Sequence, residues 1–472
     1  MASYRYDPLS PQDASFLWAE TPSTPMHIGV LFIADTGPLR NPAGGIDIGR
    51  IRDFISSRLH LIPRYRQRII YTPLRGRAVW VDDDHFNIEY HVRHTALPRP
   101  GTQEQLKQLI GRISSHALDR ARPLWELWVV EGLEGGERFA LISRIHHCMA
   151  DGVSGAELMT VLMSVSPGDE LGPLVAYVPR PVPSSLELRR DDLLDLVGGP
   201  MHAVQTLREL LDAGRRSQLG QALRGVVDLV ASGIVPASET PLNQEIGPNR
   251  RFDCFAQDLS RVKAVKDKLG GTLNDIVLAM VAGGMRRFLK RRRVDVSRLE
   301  FRVATPVSVR SGAEREALGN RVSAWIIPLP LAQADPVKRL ASIRATTKRL
   351  KESNQALGAD LLSAVTEWTG TTLLSIGTRF QTVGRTHNLV VSNVPGPQVP
   401  LYLLGAPLHE AYPIGPLFQQ QALVVALFSY SGRLFWGLNA DASLVPDLVD
   451  LRRDLEASFH ELAEAAGTPS AD

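Results

Sequence analysis

A proline-rich interruption divides this chain into two stretches that each combine strand and helix patterns. Residues 172–186 contain four prolines, a composition typical of an extended connection between folded units. A length of 472 residues is enough for two or three domains. We therefore predict a mixed α/β (α+β) protein with an N-terminal domain over 1–172, a Pro-rich and helical linker over 173–245 and a C-terminal domain over 246–472.

Hydrophobic periodicity places strands and helices in both stretches. In the first stretch it predicts strands at 28–33, 125–131 and 139–145, and helices at 48–58, 104–118 and 155–164. In the second it predicts helices at 261–269 and 272–293, and strands at 301–307, 322–329, 388–392, 421–429 and 434–439. The linker shows helical spacing of leucines and valines between 187 and 232. Two interpretations stay open for it: a helical segment packed on the domains, or an amphipathic surface that touches lipid.

Charge and cysteine content exclude several classes of protein. The chain has 53 basic and 50 acidic residues, and this balance argues against nucleic-acid binding. It has two cysteines, and a chain this long does not need a disulfide to fold, so we expect free thiols in a reducing compartment. We find neither a secretory signal nor an apolar run near the roughly 18 residues that span a bilayer. The sequence therefore predicts a cytoplasmic protein, with peripheral contact to a membrane or a lipid droplet left open.

The segment His146-His147-Cys148-Met149-Ala150-Asp151-Gly152 carries the clearest chemistry. Adjacent residues of a strand point to opposite faces, so we expect one histidine to face the reaction and the other to pack or hydrogen-bond. The same argument disfavours a metal site. An imidazole can take the proton of an alcohol as the alcohol attacks an acyl group, which contributes on the order of 10²–10⁴ in rate.

Other residue types in this region have competing interpretations. Cys148 is a possible nucleophile, but the histidines supply a simpler chemistry. Asp151 suits a turn before the following helix, and Gly152 gives the backbone room there. Further along, the basic run 286–293 is either a solvated helix end, favoured by the helix dipole, or a contact for CoA phosphates or anionic lipid.

The histidine segment resembles the active-site motif of the CoA-dependent acyltransferase superfamily. Several other segments, taken in order, resemble the bacterial wax ester synthase/diacylglycerol acyltransferase family, in particular its actinobacterial triacylglycerol synthase-like members. These segments cover nearly the whole chain and lie at 9–16, 25–29, 122–126, 274–279, 306–310, 318–320, 392–397 and 444–447.

The resemblance implies a fold of two chloramphenicol acetyltransferase-like domains joined by a helical linker, with the active site in a channel between them. It implies acyl-CoA as a substrate and diacylglycerol or a long-chain alcohol as acceptor, with no further cofactor and no metal. It makes triacylglycerol synthesis the expected activity. Wax ester synthesis and a non-catalytic lipid-binding role are the alternatives.

The resemblance also implies roles for individual residues. His147 becomes the general base and His146 its partner in the motif, while Asp151 is structural and pairs with Arg302 or Arg310. Asn274 has two competing roles, an oxyanion donor or the N-cap of the long helix. The residues expected to contact substrate along the channel are Arg310, Asn320, Ser392, Asn393, Pro395 and Gly396.

Overall fold

The computed structural model describes most of the chain in six stretches. They are residues 6–149, 163–168, 172–194, 236–308, 322–356 and 386–468. All structural statements below concern these residues.

The first half of the chain contributes seven strands and four helices to the described structure, together with a helical stretch over 185–194 in the linker. The strands are β1 Asp7–Pro8, β2 His27–Asp35, β3 Gln67–Tyr71, β4 Ala78–Asp82, β5 Val92–Ala96, β6 Trp125–Leu133 and β7 Arg138–His146. The helices are α1 Pro11–Ala19, α2 Ile48–Arg58, α3 Ile88–His91 and α4 Gln103–Ser114. Short 3-10 turns lie at Gly37–Leu39, Leu59–Leu61, Pro63–Arg66, Glu134–Gly136 and His147–Met149.

The second half contributes eight strands and four helices to the described structure. The strands are β8 Arg250–Asp258, β9 Phe301–Ser308, β10 Val322–Leu329, β11 Leu389–Pro395, β12 Tyr402–Leu403, β13 Ala406–Ile414, β14 Leu423–Tyr430 and β15 Arg433–Asp441. The helices are α5 Leu259–Leu269, α6 Leu273–Arg291, α7 Pro336–Ala356 and α8 Leu448–Ala465. Both halves therefore mix helices and strands, as the sequence predicts.

The strands form two six-stranded sheets and one small sheet. The first large sheet has the order β12-β13-β2-β7-β6-β5, and the second has the order β10-β9-β11-β14-β15-β8. Each combines antiparallel pairs with parallel ones, namely β5 with β6 in the first, and β11 with β9 and β14 in the second. The small sheet has the order β1-β4-β3.

One hairpin crosses between the two halves. Strands β12 and β13 come from the stretch predicted as the C-terminal domain, yet β13 pairs with β2 in the first sheet. The predicted boundary at residue 246 therefore does not separate the two sheets. The crossing strand also touches the second sheet closely, because a Cβ on Gly437 of β15 would lie 1.7 Å from the Pro413 carbonyl oxygen. Only glycine permits this approach.

The second half packs its helices around one central helix. Residues 275–285 of helix α6 are all buried, because α5, α7 and α8 contact the helix from several sides. Over these residues the helix has no polar stripe. A helix that is apolar all round is stable only when it is buried in this way. Its N-cap is Thr272, which forms a reciprocal capping box with Asp275.

The described part of the linker lies along the first half. The Tyr177 hydroxyl donates to the Arg66 carbonyl at 3.0 Å, and Arg180 pairs with Asp82 at 2.9 Å. The Asp192 carboxylate accepts the backbone N–H of Leu74 at 3.0 Å. These contacts favour the packed interpretation for residues 172–194, whereas residues 195–235 of the linker lie outside the described residues.

The described helices include no candidate for a membrane span. Among them, none combines the length and the apolar character that crossing a bilayer requires.

Candidate active site

The two adjacent histidines lie at the point where a strand gives way to a turn. His146 is the last residue of β7, and His147 opens the 3-10 turn that follows. The backbone N–H of His146 donates to the Leu124 carbonyl at 2.9 Å, and that of His147 donates to the Met26 carbonyl at 2.8 Å. The peptide groups of both histidines are therefore held by neighbouring chain segments.

The His147 side chain faces a cavity and is held flat by an aromatic ring. Its imidazole stacks on Phe16 of α1 with ring centroids 3.8 Å apart and an interplanar angle of 14°. Burial lowers the pKa of His147 to about 4, although a hydrogen bond to its own backbone acts in the opposite direction. The ring is therefore neutral near pH 7 and able to accept a proton.

The His146 side chain is fully buried and does not line the cavity. Its Nδ1 accepts the backbone N–H of Cys148 at 3.2 Å, which leaves the ring proton on Nε2. That nitrogen faces Oε1 of Glu20 at 3.5 Å. His146 is thus occupied by contacts within the protein, whereas His147 is open to the cavity.

The cavity beside His147 has a volume of about 300 Å³ and lies between the two large sheets. Among the described residues, its polar side chains are His147, Ser143 and Ser392, and the rest of that lining is apolar or glycine. The first sheet lines it with Ile28, Gly29, Val30, Phe32, Leu127, Ser143, Ile145, Leu403, Pro413 and Ile414. The second sheet lines it with Pro306, Val390, Ser392, Val394, Val424, Ala426, Leu427 and Phe428. The remaining lining residues are Ile55, His147, Met163, Gly415, Pro416 and Phe418.

Only one of the described residues expected to contact substrate lines this cavity. Ser392 does so from β11, together with the alternate residues Val390 and Val394. Asn393 lies between them and is absent from the lining, because neighbouring strand residues point to opposite faces. Asn393 does not line this cavity, and its contact with substrate stays a prediction.

The turn after β11 lies outside the cavity as well. Pro395 is exposed and lines no part of it. Gly396 lies behind the cavity wall, where a Cβ would come 2.2 Å from Cζ of Phe428, itself a lining residue. Gly396 therefore shapes the wall through Phe428, and a direct contact of Pro395 or Gly396 with substrate stays a prediction.

Asn274 is neither the helix cap nor a lining residue of the cavity. Thr272 occupies the N-cap position of α6, two residues earlier, so the N-cap interpretation of Asn274 is wrong. A Thr with an acid three residues later forms a reciprocal capping box, a signal that was present in the sequence. The cavity lining includes no residue of α6.

Four predicted site residues cannot be placed. Asp151, Gly152, Arg310 and Asn320 lie outside the described residues, and so does the predicted helix at 155–164.

The alternative nucleophile does not reach the cavity. Cys148 is fully buried and free of disulfide bonding, and it does not line the cavity. The other cysteine, Cys254, has its thiol pKa raised to about 12 by burial, which keeps it protonated. The described geometry leaves His147 as the group suited to the chemistry.

Three residues that contact the histidines or the cavity were not predicted from the sequence. Phe16, Glu20 and Ser143 contact the histidines or the cavity, yet none was singled out. Family-like segments at 9–16 and 25–29 flank Glu20, and this was the available signal. Ser143 could have been found from alternation, since it lies two residues before Ile145 on β7.

Several arginines at the basic end of α6 are paired within the protein. Arg287 pairs with Glu461, Arg291 with Asp454 and Arg292 with Asp447, all three carboxylates coming from α8 or its N-cap. Arg286 donates to the Leu331 carbonyl at 2.6 Å. These contacts favour a structural role over a contact for phosphates.

A possible metal-binding group occurs away from the cavity. Asp83, Asp84 and His85 lie close enough together to offer ligand atoms, and two of the three are exposed. None of them lines the cavity beside His147.

Sequence comparison matches this chain to one family over nearly its whole length. The model of the wax ester synthase/diacylglycerol acyltransferase catalytic domain matches residues 9–277, and that of the C-terminal domain of the same family matches residues 318–463. The chain is 34% identical to the probable diacylglycerol O-acyltransferase tgs2 of Mycobacterium tuberculosis over 475 residues, which cover 98% of this chain and 100% of the relative.

Solved structures give the same result for the fold. The wax ester synthase/diacylglycerol acyltransferase from Marinobacter aquaeolei VT8 is similar with a TM-score of 0.69 and 28% identity, over 98% of this chain and 100% of that one. The starter condensation domain of rhizomide synthetase shares the fold with a TM-score of 0.60 at 13% identity, over 99% of this chain and 97% of that one. Both comparisons agree with the predicted acetyltransferase-like fold. This chain belongs to the wax ester synthase/diacylglycerol acyltransferase family.

Proposed function

We propose that the protein transfers a long-chain acyl group from acyl-CoA to diacylglycerol, which yields triacylglycerol and free CoA. The observation that carries this proposal is the neutral imidazole of His147 at the wall of an otherwise apolar cavity between the two sheets. The family and the name of the mycobacterial relative support diacylglycerol as the acceptor.

His147 acts as the general base in this proposal. It removes the hydroxyl proton of the acceptor while the hydroxyl oxygen attacks the thioester carbonyl carbon. The tetrahedral intermediate then collapses, the carbon–sulfur bond breaks, and the CoA thiolate takes the proton back from the imidazolium. No acyl-enzyme intermediate is needed because the thioester already has a good leaving group.

The cavity lining suits aliphatic chains. Apolar side chains from both sheets surround it, and burying each methylene of a substrate contributes about 0.8 kcal/mol. The hydroxyls of Ser143 and Ser392 are the two further hydrogen-bonding side chains on its described wall. We propose that Ser392 hydrogen-bonds an oxygen of the acyl ester or of the acceptor.

Product analysis by mass spectrometry tests the proposal. Purified protein is incubated with oleoyl-CoA and either diolein or hexadecanol, beside His147→Ala. We expect triolein from the native protein and a loss of about 10²–10⁴ in rate for His147→Ala. The matched control is His60→Ala, which removes an exposed imidazole outside the cavity.

Each alternative gives a different result. A hexadecyl ester as the main product would assign wax ester synthesis instead. Product at the native rate from His147→Ala would remove His147 from the mechanism. No product from folded native protein with either acceptor would favour the non-catalytic lipid-binding role.

A further inference from the structure

Among the described residues, the carboxylate of Glu20 lies buried next to the turn that carries His147. Glu20 follows the last residue of α1, and its side chain is only 6% exposed. Burial of a carboxylate is costly unless it is paired, and Arg120 pairs with Oε2 of Glu20 through two nitrogens at 2.7 and 3.0 Å. Burial alone would raise the pKa of Glu20, but the imidazoles of His146 and His27 and the Arg120 guanidinium outweigh it and lower the pKa.

The second oxygen of Glu20 gathers groups from the segment that precedes β2. Oε1 accepts the backbone N–H of Met26 at 3.1 Å. The same oxygen lies 3.5 Å from Nε2 of His27 and 3.5 Å from Nε2 of His146. These two histidines are cross-strand partners in the β2–β7 pair. Oε1 of Glu20 therefore faces the ends of both strands where the catalytic turn begins, while Nε2 of His27 accepts the backbone N–H of Leu118 at 3.2 Å.

The groups around Glu20 are the ones that hold the backbone of His147. Met26, whose N–H Glu20 accepts, uses its carbonyl to accept the N–H of His147 at 2.8 Å. His146, whose Nε2 faces Glu20, uses its Nδ1 to accept the N–H of Cys148 at 3.2 Å. The backbone N–H groups of His147 and Cys148, which flank the His147 side chain, therefore each donate to a residue that contacts Glu20.

The helix that precedes Glu20 also holds the His147 ring. Phe16 lies four residues before Glu20, so both project from the same side of the C-terminal turn of α1. Phe16 stacks on the imidazole at 3.8 Å, while Glu20 reaches the backbone contacts of the same residue. Helix α1 therefore constrains both the plane of the ring and the position of its turn.

We propose that Glu20 is a positioning residue for His147, acting through Met26 and His146. Glu20 neither lines the cavity nor contacts the His147 side chain, so it takes no proton from substrate. A catalytic group displaced by about 1 Å can lose on the order of 10² in rate, so a residue that fixes the turn has a large effect on catalysis. This proposal rests on the proposed function, in which His147 is the base.

A double-mutant cycle with the full chain tests this role. Glu20→Ala is expected to lower kcat about 10²-fold, with a change in KM for oleoyl-CoA of less than about threefold. Glu20→Gln keeps the side-chain size and one acceptor oxygen, and should lose about tenfold. In the His147→Ala background, Glu20→Ala should cost nothing further, because the residue that it positions is already gone. The control is Glu89→Gln, which removes an exposed carboxylate paired with Arg52 on α2 and should keep the native kcat.

Crystal structures of the same variants give a readout that does not need turnover. We expect the His147 ring in Glu20→Gln to leave its stack on Phe16, and to keep that stack in Glu89→Gln. An unmoved ring, or a kcat within threefold of native for folded Glu20→Ala, would overturn the positioning role. Equal losses from Glu20→Ala with and without His147 would also overturn it, since that result indicates a general structural effect. Inactive native protein with a displaced ring in Glu20→Gln would instead reject the proposed function and keep the positioning role.

Discussion

Two regions of this molecule contain arginine–carboxylate ion pairs in different environments. The C-terminal end of α6 pairs three arginines with carboxylates of α8 and its N-cap at the surface. The Glu20 cluster pairs one carboxylate with Arg120 and two histidines in the interior. The first region is conspicuous in the sequence as a run of basic residues, and the second is not.

The difference between them is solvent. Arg287 is about two-fifths exposed and its partner Glu461 about one-third, and exposed ion pairs contribute roughly 0–1 kcal/mol because water and salt screen them. Glu20 is almost fully buried, where a carboxylate that loses its partner cannot be solvated. The number of charged residues in a segment therefore does not predict how much its ion pairs contribute to stability, whereas the burial of those pairs does.

The largest expected effect is a loss of stability at a second buried ion pair, which includes a residue of β7 just before the histidine motif. Arg144 of β7 binds Glu126 of β6 at 2.8 Å, and both side chains are less than 10% exposed. Glu126→Ala leaves a buried guanidinium without its carboxylate and should lower the free energy of unfolding by about 3–5 kcal/mol. Urea denaturation measures this value. A loss below 1 kcal/mol would show that burial does not separate the two kinds of charged region.

Acid should destabilise the interior cluster before the surface one. Burial lowers the pKa of His27 to about 4, although Glu20 raises it, while an unfolded histidine titrates near 6.5. Between these values the unfolded chain binds more protons than the folded one, so stability falls as the pH decreases. For His27 alone this loss is roughly 2–3 kcal/mol between pH 7 and 4.5.

Unfolding measurements at those two pH values check this expectation. His27→Gln should show a pH dependence smaller by that amount, whichever stability it has at pH 7. Arg287→Ala should keep the native pH dependence, because it leaves His27 in place. Identical dependence in native protein and His27→Gln would contradict the assignment of the loss to His27.

The ring stack should have an intermediate effect on catalysis. Phe16→Leu keeps an apolar side chain on α1 but removes the flat surface under the His147 imidazole. Aromatic pairs contribute about 0.5–1.5 kcal/mol beyond their buried area, so we expect kcat to fall about three- to tenfold. Steady-state kinetics of Phe16→Leu beside Phe86→Leu, which alters another aromatic residue of the same half, measures the difference. Equal kcat values for the two variants would contradict a specific role of the stack.

The smallest expected effect is at the surface pairs of α6. Arg287→Ala removes the pair with Glu461 and should change the free energy of unfolding by less than about 1 kcal/mol, with less effect at high salt. Urea denaturation at low and high ionic strength measures it. A salt-independent loss above 2 kcal/mol would place this pair with the buried ones.

Most of the helices and strands that the local sequence pattern predicted are present in the structure. The helix at 48–58 and the strand at 322–329 have the bounds that periodicity gave, and the other predicted strands differ by a few residues at their ends. The predicted helix at 104–118 ends at Ser114 instead. The elements that were not predicted are helices α1, α3, α7 and α8 and strands β1, β3, β4, β5, β8, β12 and β13. Among them, α8 has a clear amphipathic pattern.

The sequence alone determined the fold class and the family, and it predicted separate roles for the two adjacent histidines. It could do so because strand and helix periods are local, and because a turn residue such as Gly or Pro acts on its own backbone. Ordered matches along the chain added the family, which the comparisons confirm.

Only the tertiary structure decided which residues meet. The pairing of β13 with β2, the position of Glu20 between His27 and His146, and the capture of the α6 arginines by α8 join residues far apart in the chain. Such contacts depend on which surfaces are buried together, and no local pattern encodes them. For the same reason Ser392 reaches the cavity while Asn393 does not, since the face of β11 that is covered follows from the sheet packed against it.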